Sequence, residues 1–195
     1  MDVVVIDYGA GNLFSVVTAL KKLNCKVVCS CDPAVICAAE RIIFPGVGQA
    51  SAAMKQLKAS GLERIIPNLK MPVLGICLGM QLMCRKTEEE NTTGLNIFPL
   101  EVRRLAGDCK IPHMGWNNIR ELQSGLFRGI KPGEWMYFVH SYRLPLSEYD
   151  IAVCDYGHSF AAAVRKDNFY GCQFHPEKSS EAGEKILKNF LMLEK

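Results

Sequence analysis

Apolar residues follow two rhythms along this chain, and the change between them falls near its middle. In the first half, short apolar runs alternate with helical patterns. Residues 3–8, VVVIDY, are a β-branched run that suits a strand buried on both faces. Leu13, Val16, Val17, Leu20 and Leu23 then recur at helical spacing. Residues 26–31 predict a second strand and residues 41–45, RIIFP, a third, followed by GVG and a helical stretch around 53–57. Residues 71–76, MPVLGI, predict a fourth strand, which runs straight into LGMQLMCRK, read as a helix. Strands and helices alternating at this spacing predict a parallel α/β sheet with helices on its faces.

Residues 87–94, TEEENTTG, are a polar loop, and beyond about residue 98 the rhythm shortens. Apolar β-like pieces at 100–104, 135–141, 150–154, 160–165 and 169–174 are separated by Gly, Pro, Asn and Asp, which predicts a mixed, partly antiparallel half. Ser179 or Ser180 is then expected to cap a last helix whose apolar face is Ile186, Leu187, Phe190 and Leu191. With no internal repeat, low-complexity tract or linker, the chain reads as a single domain over residues 1–195.

Composition narrows the class. A chain of 195 residues can bury a real core. An apolar share of 49% with 22% charged residues suits a soluble globular enzyme and excludes a disordered chain. A net charge of +3 demands neither nucleic acid nor an anionic membrane, and the apolar runs are too short to span a bilayer. The opening MDVVVIDYGAGN carries Asp2 and Asp7 and lacks the basic start of a signal peptide. Nine cysteines without an export signal point to a reducing cytoplasm. Cys25, Cys29, Cys31 and Cys37 contain no C-x-x-C pair and have no histidine nearby. They are expected to pack in the interior, with the first three on one strand face, and no metal site is expected.

Three short motifs can carry chemistry. LGICLGM places Cys77 between Gly75 and Gly79, after a strand and before a helix. That is the setting of a nucleophile elbow, in which the amide of Leu78 would face an oxyanion. On this pattern alone, Cys77 is equally a nucleophile or a buried structural cysteine. Of four histidines, His175 lies in FHPE with Glu177 two residues on. Pro176 holds His175 extended, so Glu177 can bond one imidazole nitrogen while the other faces Cys77. An isolated H-x-E would read as a surface pair; the elbow cysteine is what turns it into a base and its orienter. PGVG at 45–48 follows a predicted strand, so its loop should share a sheet edge with Cys77. By itself it is an ordinary tight turn. GAGN at 9–12 lacks the third glycine of a dinucleotide fingerprint, and Asp32 is a weak ribose-binding candidate.

Taken together, PGVG, GICLGMQ and FHPE resemble the class I, triad-type glutamine amidotransferases, in the expected order over essentially the whole chain. DYGAGN, PHMGWN at 112–117, YFVHSY at 137–142 and QFHPEKS at 173–179 are similar to the glutaminase subunits of imidazole glycerol phosphate synthases. PHMGWN separates these from the sister glutaminases of anthranilate, aminodeoxychorismate, GMP and pyridoxal phosphate synthesis. The resemblance implies a single-domain, flavodoxin-like α/β fold with a mixed, mainly parallel central sheet flanked by helices. It implies Cys77, His175 and Glu177 as catalytic residues, and Val47, Gly48 and Leu78 around the oxyanion. Gly46, Gly79, Gln81, Glu89, Ser141 and Tyr142 would meet glutamine, and His113, Met114, Trp116 and Tyr137 would face a partner. That partner would be a (β/α)8-barrel cyclase in a heterodimer, fed with ammonia to convert PRFAR into imidazole glycerol phosphate and AICAR, without a cofactor. The family also implies a resting state in which the Val47 peptide turns its carbonyl toward the site. A cysteine peptidase or thioesterase on the same elbow, and a binding module with a packed Cys77, are the readings from other classes.

Overall fold

The computed structural model describes residues 2–9 and 12–193. Ala10 and Gly11 of the GAGN turn lie outside the described residues. The first half runs β1 (Asp2–Ile6), α1 (Leu13–Lys22), β2 (Lys26–Ser30), α2 (Pro33–Cys37), β3 (Arg41–Gly46), α3 (Ala50–Ala59), α4 (Leu62–Ile65), β4 (Val73–Cys77) and α5 (Leu78–Leu82). The second half runs β5 (Cys84–Thr87), β6 (Thr92–Thr93), β7 (Phe98–Arg104), β8 (His113–Asn118), β9 (Trp135–His140), β10 (Tyr142–Arg143), β11 (Asp150–Tyr156), β12 (His158–Lys166), β13 (Phe169–Cys172) and α6 (Ser180–Leu191).

Seven strands form the central sheet in the order β11-β12-β13-β4-β3-β1-β2. Neighbours from β13 to β2 are parallel, and the β11-β12-β13 end is antiparallel, so the two rhythms of the sequence become the two ends of one sheet. Alternation along the strands splits the core between two faces. Val4, Ile6, Ile42 and Phe44 pack with Met54 and Leu57 of α3. Val3, Val5, Ile43, Leu74 and Ile76 pack on the other face with Val16 and Leu20 of α1 and Ile186, Leu187 and Phe190 of α6. Every residue of β3 and β4 is buried, as expected of central parallel strands.

Several sequence expectations are corrected. The helix expected over LGMQLMCRK stops at Leu82, and Cys84–Thr87 is strand β5 of a second sheet, ordered β10-β7-β5-β6. The carbonyls that a further helical turn would use are taken by a distant loop: Leu95 N–H bonds Leu82 O at 2.8 Å, and Ile97 N–H bonds Met83 O at 2.9 Å. Gly94 makes this approach possible, because a Cβ there would lie 2.2 Å from the carbonyl oxygen of Cys84. Cys25 is half-buried and Cys29 and Cys31 are exposed, not interior, because β2 is the edge strand, and Cys37 is exposed at the end of α2, where Ile36 is the buried residue. Asp32 caps α2 through Ala34 N–H at 2.8 Å. Ser179 stands at the N-cap of α6 but makes no side-chain capping bond. The segment HMGWNN, read only as a motif, is β8, paired antiparallel with β9 as a ribbon. No helix among the described residues is long and apolar enough to cross a membrane.

Candidate active site

Strands β3 and β4 pair in parallel so that Gly46 lies opposite Cys77, which brings PGVG and the elbow to one sheet edge. Cys77 has φ 51° and ψ −108°. A non-glycine residue held there stores about 1–3 kcal/mol of strain, a cost found at functional turns. The turn closes because two glycines let backbones touch. A Cβ on Gly79 would sit 1.9 Å from Phe44 O, and one on Gly46 would sit 2.7 Å from Gly79 N. The Tyr8 hydroxyl donates to Pro45 O at 2.9 Å and fixes the stem of the PGVG loop. Gly46 and Gly79 therefore shape the elbow from behind. Helix α5 has only five residues, so it offers Cys77 free first-turn amides more than a macrodipole.

Above the elbow lies a cavity of about 360 Å³. Val47, Gly48, Cys77, Leu78 and His175 line it, together with Gln81, Glu89, Ser141 and Tyr142. Nine residues singled out from the sequence thus meet at one place, joined by Pro112, Val139 and His140, which the sequence did not mark.

His175 and Glu177 meet as expected but by another route. His175 is extended, as Pro176 demands, while Pro176–Lys178 is a 3-10 turn that carries Glu177 back. His175 Nδ1 donates to Glu177 Oε1 at 2.8 Å, with both side chains almost fully buried. That leaves His175 Nε2 with no hydrogen-bond partner among the described residues, in the wall it shares with Cys77. Burial opposes charge on His175, but the Cys77 sulfur and the Glu177 carboxylate outweigh it and raise the imidazole to about 10. The ring is therefore held protonated as long as the sulfur beside it is an anion. Ser179 explains its missing cap here: its hydroxyl donates to His175 O at 2.7 Å and accepts from Tyr137 N–H at 2.9 Å. His175 N–H also bonds Tyr137 O at 2.9 Å, so β9 clamps the histidine backbone.

Glu89 and Gln81 are tied into the framework. Glu89 Oε2 accepts from Ala50 N–H at 2.8 Å and caps α3, whose own N-cap residue Gln49 makes no such bond. Gln81 Nε2 donates to Tyr142 O and to Gln173 Oε1, both at 2.9 Å. With both its hydrogens used, Gln81 presents only an acceptor to anything else.

The partner-facing group divides. Met114 and Trp116 are 63% and 47% exposed, and Tyr137 is half-buried. His113 does not face outward: it is buried and stacks between Tyr156 and Phe138, with ring centroids at 3.9 and 4.8 Å. The alternation of β8 turns it inward while Met114 points out. Its Nδ1 lies 3.0 Å from His140 Nε2, and His140 Nδ1 lies 2.8 Å from Tyr142 O. A carbonyl can only accept, so His140 carries its proton on Nδ1, and His113 must donate to the bare Nε2 of His140. Both rings are neutral. Burial holds His113 at about 4. Burial, reinforced by the charges of His113 and His175 against the pull of the Tyr142 carbonyl, holds His140 at about 3.

This pair sets an acid limit on the fold. Unfolded, each ring takes a proton near the ordinary value of about 6.5. Between about 6.5 and 4 the unfolded chain therefore binds more protons than the folded one. Stability from these rings is complete above that window and falls with pH inside it, by up to about 1.4 kcal/mol per pH unit for each. Urea midpoints are expected to drop between about pH 7 and pH 5, and the drop should flatten in His113→Gln. An equally steep fall in that variant would count against the assignment.

Comparison with known proteins agrees with this geometry. Residues 4–193 match the family described as Glutamine amidotransferase class-I. The chain is 55% identical over 196 residues to imidazole glycerol phosphate synthase subunit HisH of Bacteroides fragilis (strain YCH46), covering 99% of this chain and 100% of that protein. It is 50% identical over 196 residues to the HisH subunit of Bacteroides thetaiotaomicron, again covering 99% and 100%. A solved structure described as a glutamine amidotransferase superposes with a TM-score of 0.76 over 97% of each chain; at 18% identity that likeness is one of fold.

Proposed function

This chain belongs to the class-I glutamine amidotransferase family, and from that premise we propose that it is the glutaminase subunit of an imidazole glycerol phosphate synthase. The observation that carries the reading is the coincidence of 55% identity to a HisH subunit over nearly the whole chain with Cys77 and His175 on one cavity and Glu177 bonded behind the histidine. Glutamine enters the cavity, and Cys77 Sγ attacks its side-chain amide carbon as the thiolate of a Cys77–His175 pair. The tetrahedral oxyanion is received by the Leu78 amide and by the Val47–Gly48 loop. His175 already carries a proton on Nε2, which it gives to the departing ammonia. The glutamyl thioester remains, and water that loses its proton to His175 hydrolyses it to glutamate. Glu177 holds the imidazole in orientation and balances its charge.

Glu89 and the Oε1 of Gln81 supply acceptors for the glutamine ammonium, while Ser141 and Tyr142 close the carboxylate side. Gly46 and Gly79 act through the shape of the elbow. Ammonia passes to a (β/α)8-barrel cyclase that docks on the face bearing Met114, Trp116 and Tyr137 and uses it to turn PRFAR into imidazole glycerol phosphate and AICAR. A cytoplasmic setting suits that pathway and nine free thiols. Treatment with an electrophilic glutamine analogue is expected to label Cys77 alone, and excess glutamine to protect it, as read by peptide mass spectrometry. Labelling that glutamine leaves unaffected would move the reading to a thioesterase or peptidase, and no labelling would leave a packed cysteine.

A further inference from the structure

Gln173 lies in the stretch between β13 and His175, is fully buried, and is anchored by its own N–H to Ala162 O at 2.9 Å. Its Nε2 stands 3.5 Å from Cys77 Sγ. A carboxamide can be built either way round, so the orientation has to follow from its partners. The Tyr142 carbonyl decides it, because it can only accept. The Gln81 atom 2.9 Å from that carbonyl is therefore the amide nitrogen. The same nitrogen gives its second hydrogen to Gln173, so Gln173 must turn its oxygen toward Gln81 and its N–H groups toward the sulfur. Turning Gln173 over would set two donors face to face in a buried site, a costly arrangement.

We infer that Gln173 is a further catalytic residue of this site, whose side-chain N–H is held against Cys77 Sγ and stabilises the sulfur as an anion. The inference rests on the reading of Cys77 as the nucleophile. The thiol donates to Val139 O at 3.7 Å, a contact that favours the protonated form. Once the proton is gone, that carbonyl faces a negative sulfur, and an opposing donor is needed. The other ionisable groups near Cys77 do not supply a neutral one. His175 is charged and is consumed as the proton donor to ammonia. Tyr8, close enough for the Cys77 charge to raise its hydroxyl further, spends that hydroxyl on Pro45 O. Cys172 bonds Gly75 O, and Glu89 across the cavity is an acceptor capping α3. His140 gives its hydrogen to Tyr142 O. Gln173 solvates the sulfur at the two points where it is an anion, before it attacks glutamine and when it leaves the thioester.

The test is the pH dependence of Cys77 alkylation by iodoacetamide, followed on the Cys77 peptide because the exposed Cys29, Cys31 and Cys37 also react. In Gln173→Met, which keeps volume and removes the donor, the midpoint is expected to rise by about one pH unit or more. That makes alkylation below the wild-type midpoint about ten-fold slower, with the limiting rate at high pH unchanged. Gln81→Leu, which frees Gln173 to turn, should move the midpoint the same way by less, and it carries the test alone if Gln173→Met does not fold. In Gln173→Met, kcat with glutamine should fall at nearly constant KM. A purely structural role would lower the thermal midpoint without moving the alkylation midpoint, and that result in either folded variant overturns the inference. The alkylation readout contains no glutamine. A shifted midpoint beside a wild-type chain inert to glutamine would keep the role of Gln173 and count against the glutaminase reading.

Discussion

Replacing Cys77 by serine is expected to lower glutamine-dependent turnover by at least about 10⁴-fold, the scale on which removing a nucleophile acts. Synthesis driven by added ammonia in the presence of the cyclase should stay at the wild-type level. The size follows from the chemistry. A hydroxyl is far harder to deprotonate than a thiol, and replacing the sulfur also removes the anion that pairs with the His175 imidazolium, so the serine variant has no ready nucleophile. The selectivity follows from the geometry. Serine is nearly isosteric, so the elbow, the β3–β4 pairing and the exposed Met114 and Trp116 face should all survive. The measurement is paired: glutamate release from glutamine, and cyclase product formation from ammonia, on the same complex. Residual glutaminase above about 1% would show that Cys77 does not form the thioester. Loss of the ammonia reaction would show that the variant damages assembly and that glutaminase loss alone proves little.

How far the sequence could be read depended on where each residue finds its partner. The central strands were legible because a strand buried on both faces must be a nearly unbroken apolar run, as VVVI, RIIF and VLGI are. The elbow was legible because a cysteine with positive φ after such a strand needs small neighbours, and Gly75 and Gly79 are written beside it. Glu177 was found because its partner lies two residues away. The failures have the opposite character. The end of α5 is set by the backbone of residues 94–98, which takes its last carbonyls, and no local signal in CRKT announces that. Ser179 has the composition of a helix cap, but Tyr137 and His175 compete for its hydroxyl and win. His113 sits in a motif whose next residues face outward, and only the pairing of β8 with β9 shows that it points inward. Gln173 lies inside QFHPEKS, but its orientation depends on Gln81, which is 92 residues distant. Pairs close in sequence were readable, and networks closed by tertiary contacts were not.

The second large effect concerns the loop and not the nucleophile. The isolated chain is expected to turn over glutamine weakly, and the cyclase with its bound substrate should raise kcat by about 10² to 10³-fold, the worth of one oxyanion donor. The PGVG loop is built to allow such a change at its tip alone. Its stem is fixed, since Tyr8 holds Pro45 O and Gly46 is pressed against Gly79. Its tip is loose, with Val47 40% exposed and Gly48 at φ +97°, where only glycine rests without strain. Space does not hold the tip in place, because a Cβ on Gly48 would meet nothing within 4 Å. A peptide can therefore turn there without moving Cys77 or His175, and the resemblance implies a resting state with a carbonyl toward the site. A donor that appears only on turning acts on the tetrahedral oxyanion and hardly on bound glutamine, so kcat should rise while KM stays nearly constant. Stimulation expressed mainly in KM would place the control in glutamine binding, at Glu89, Gln81 or Tyr142. Full activity of the isolated chain would mean that both donors already face the oxyanion at rest, and the freedom of Val47 and Gly48 would then need another purpose.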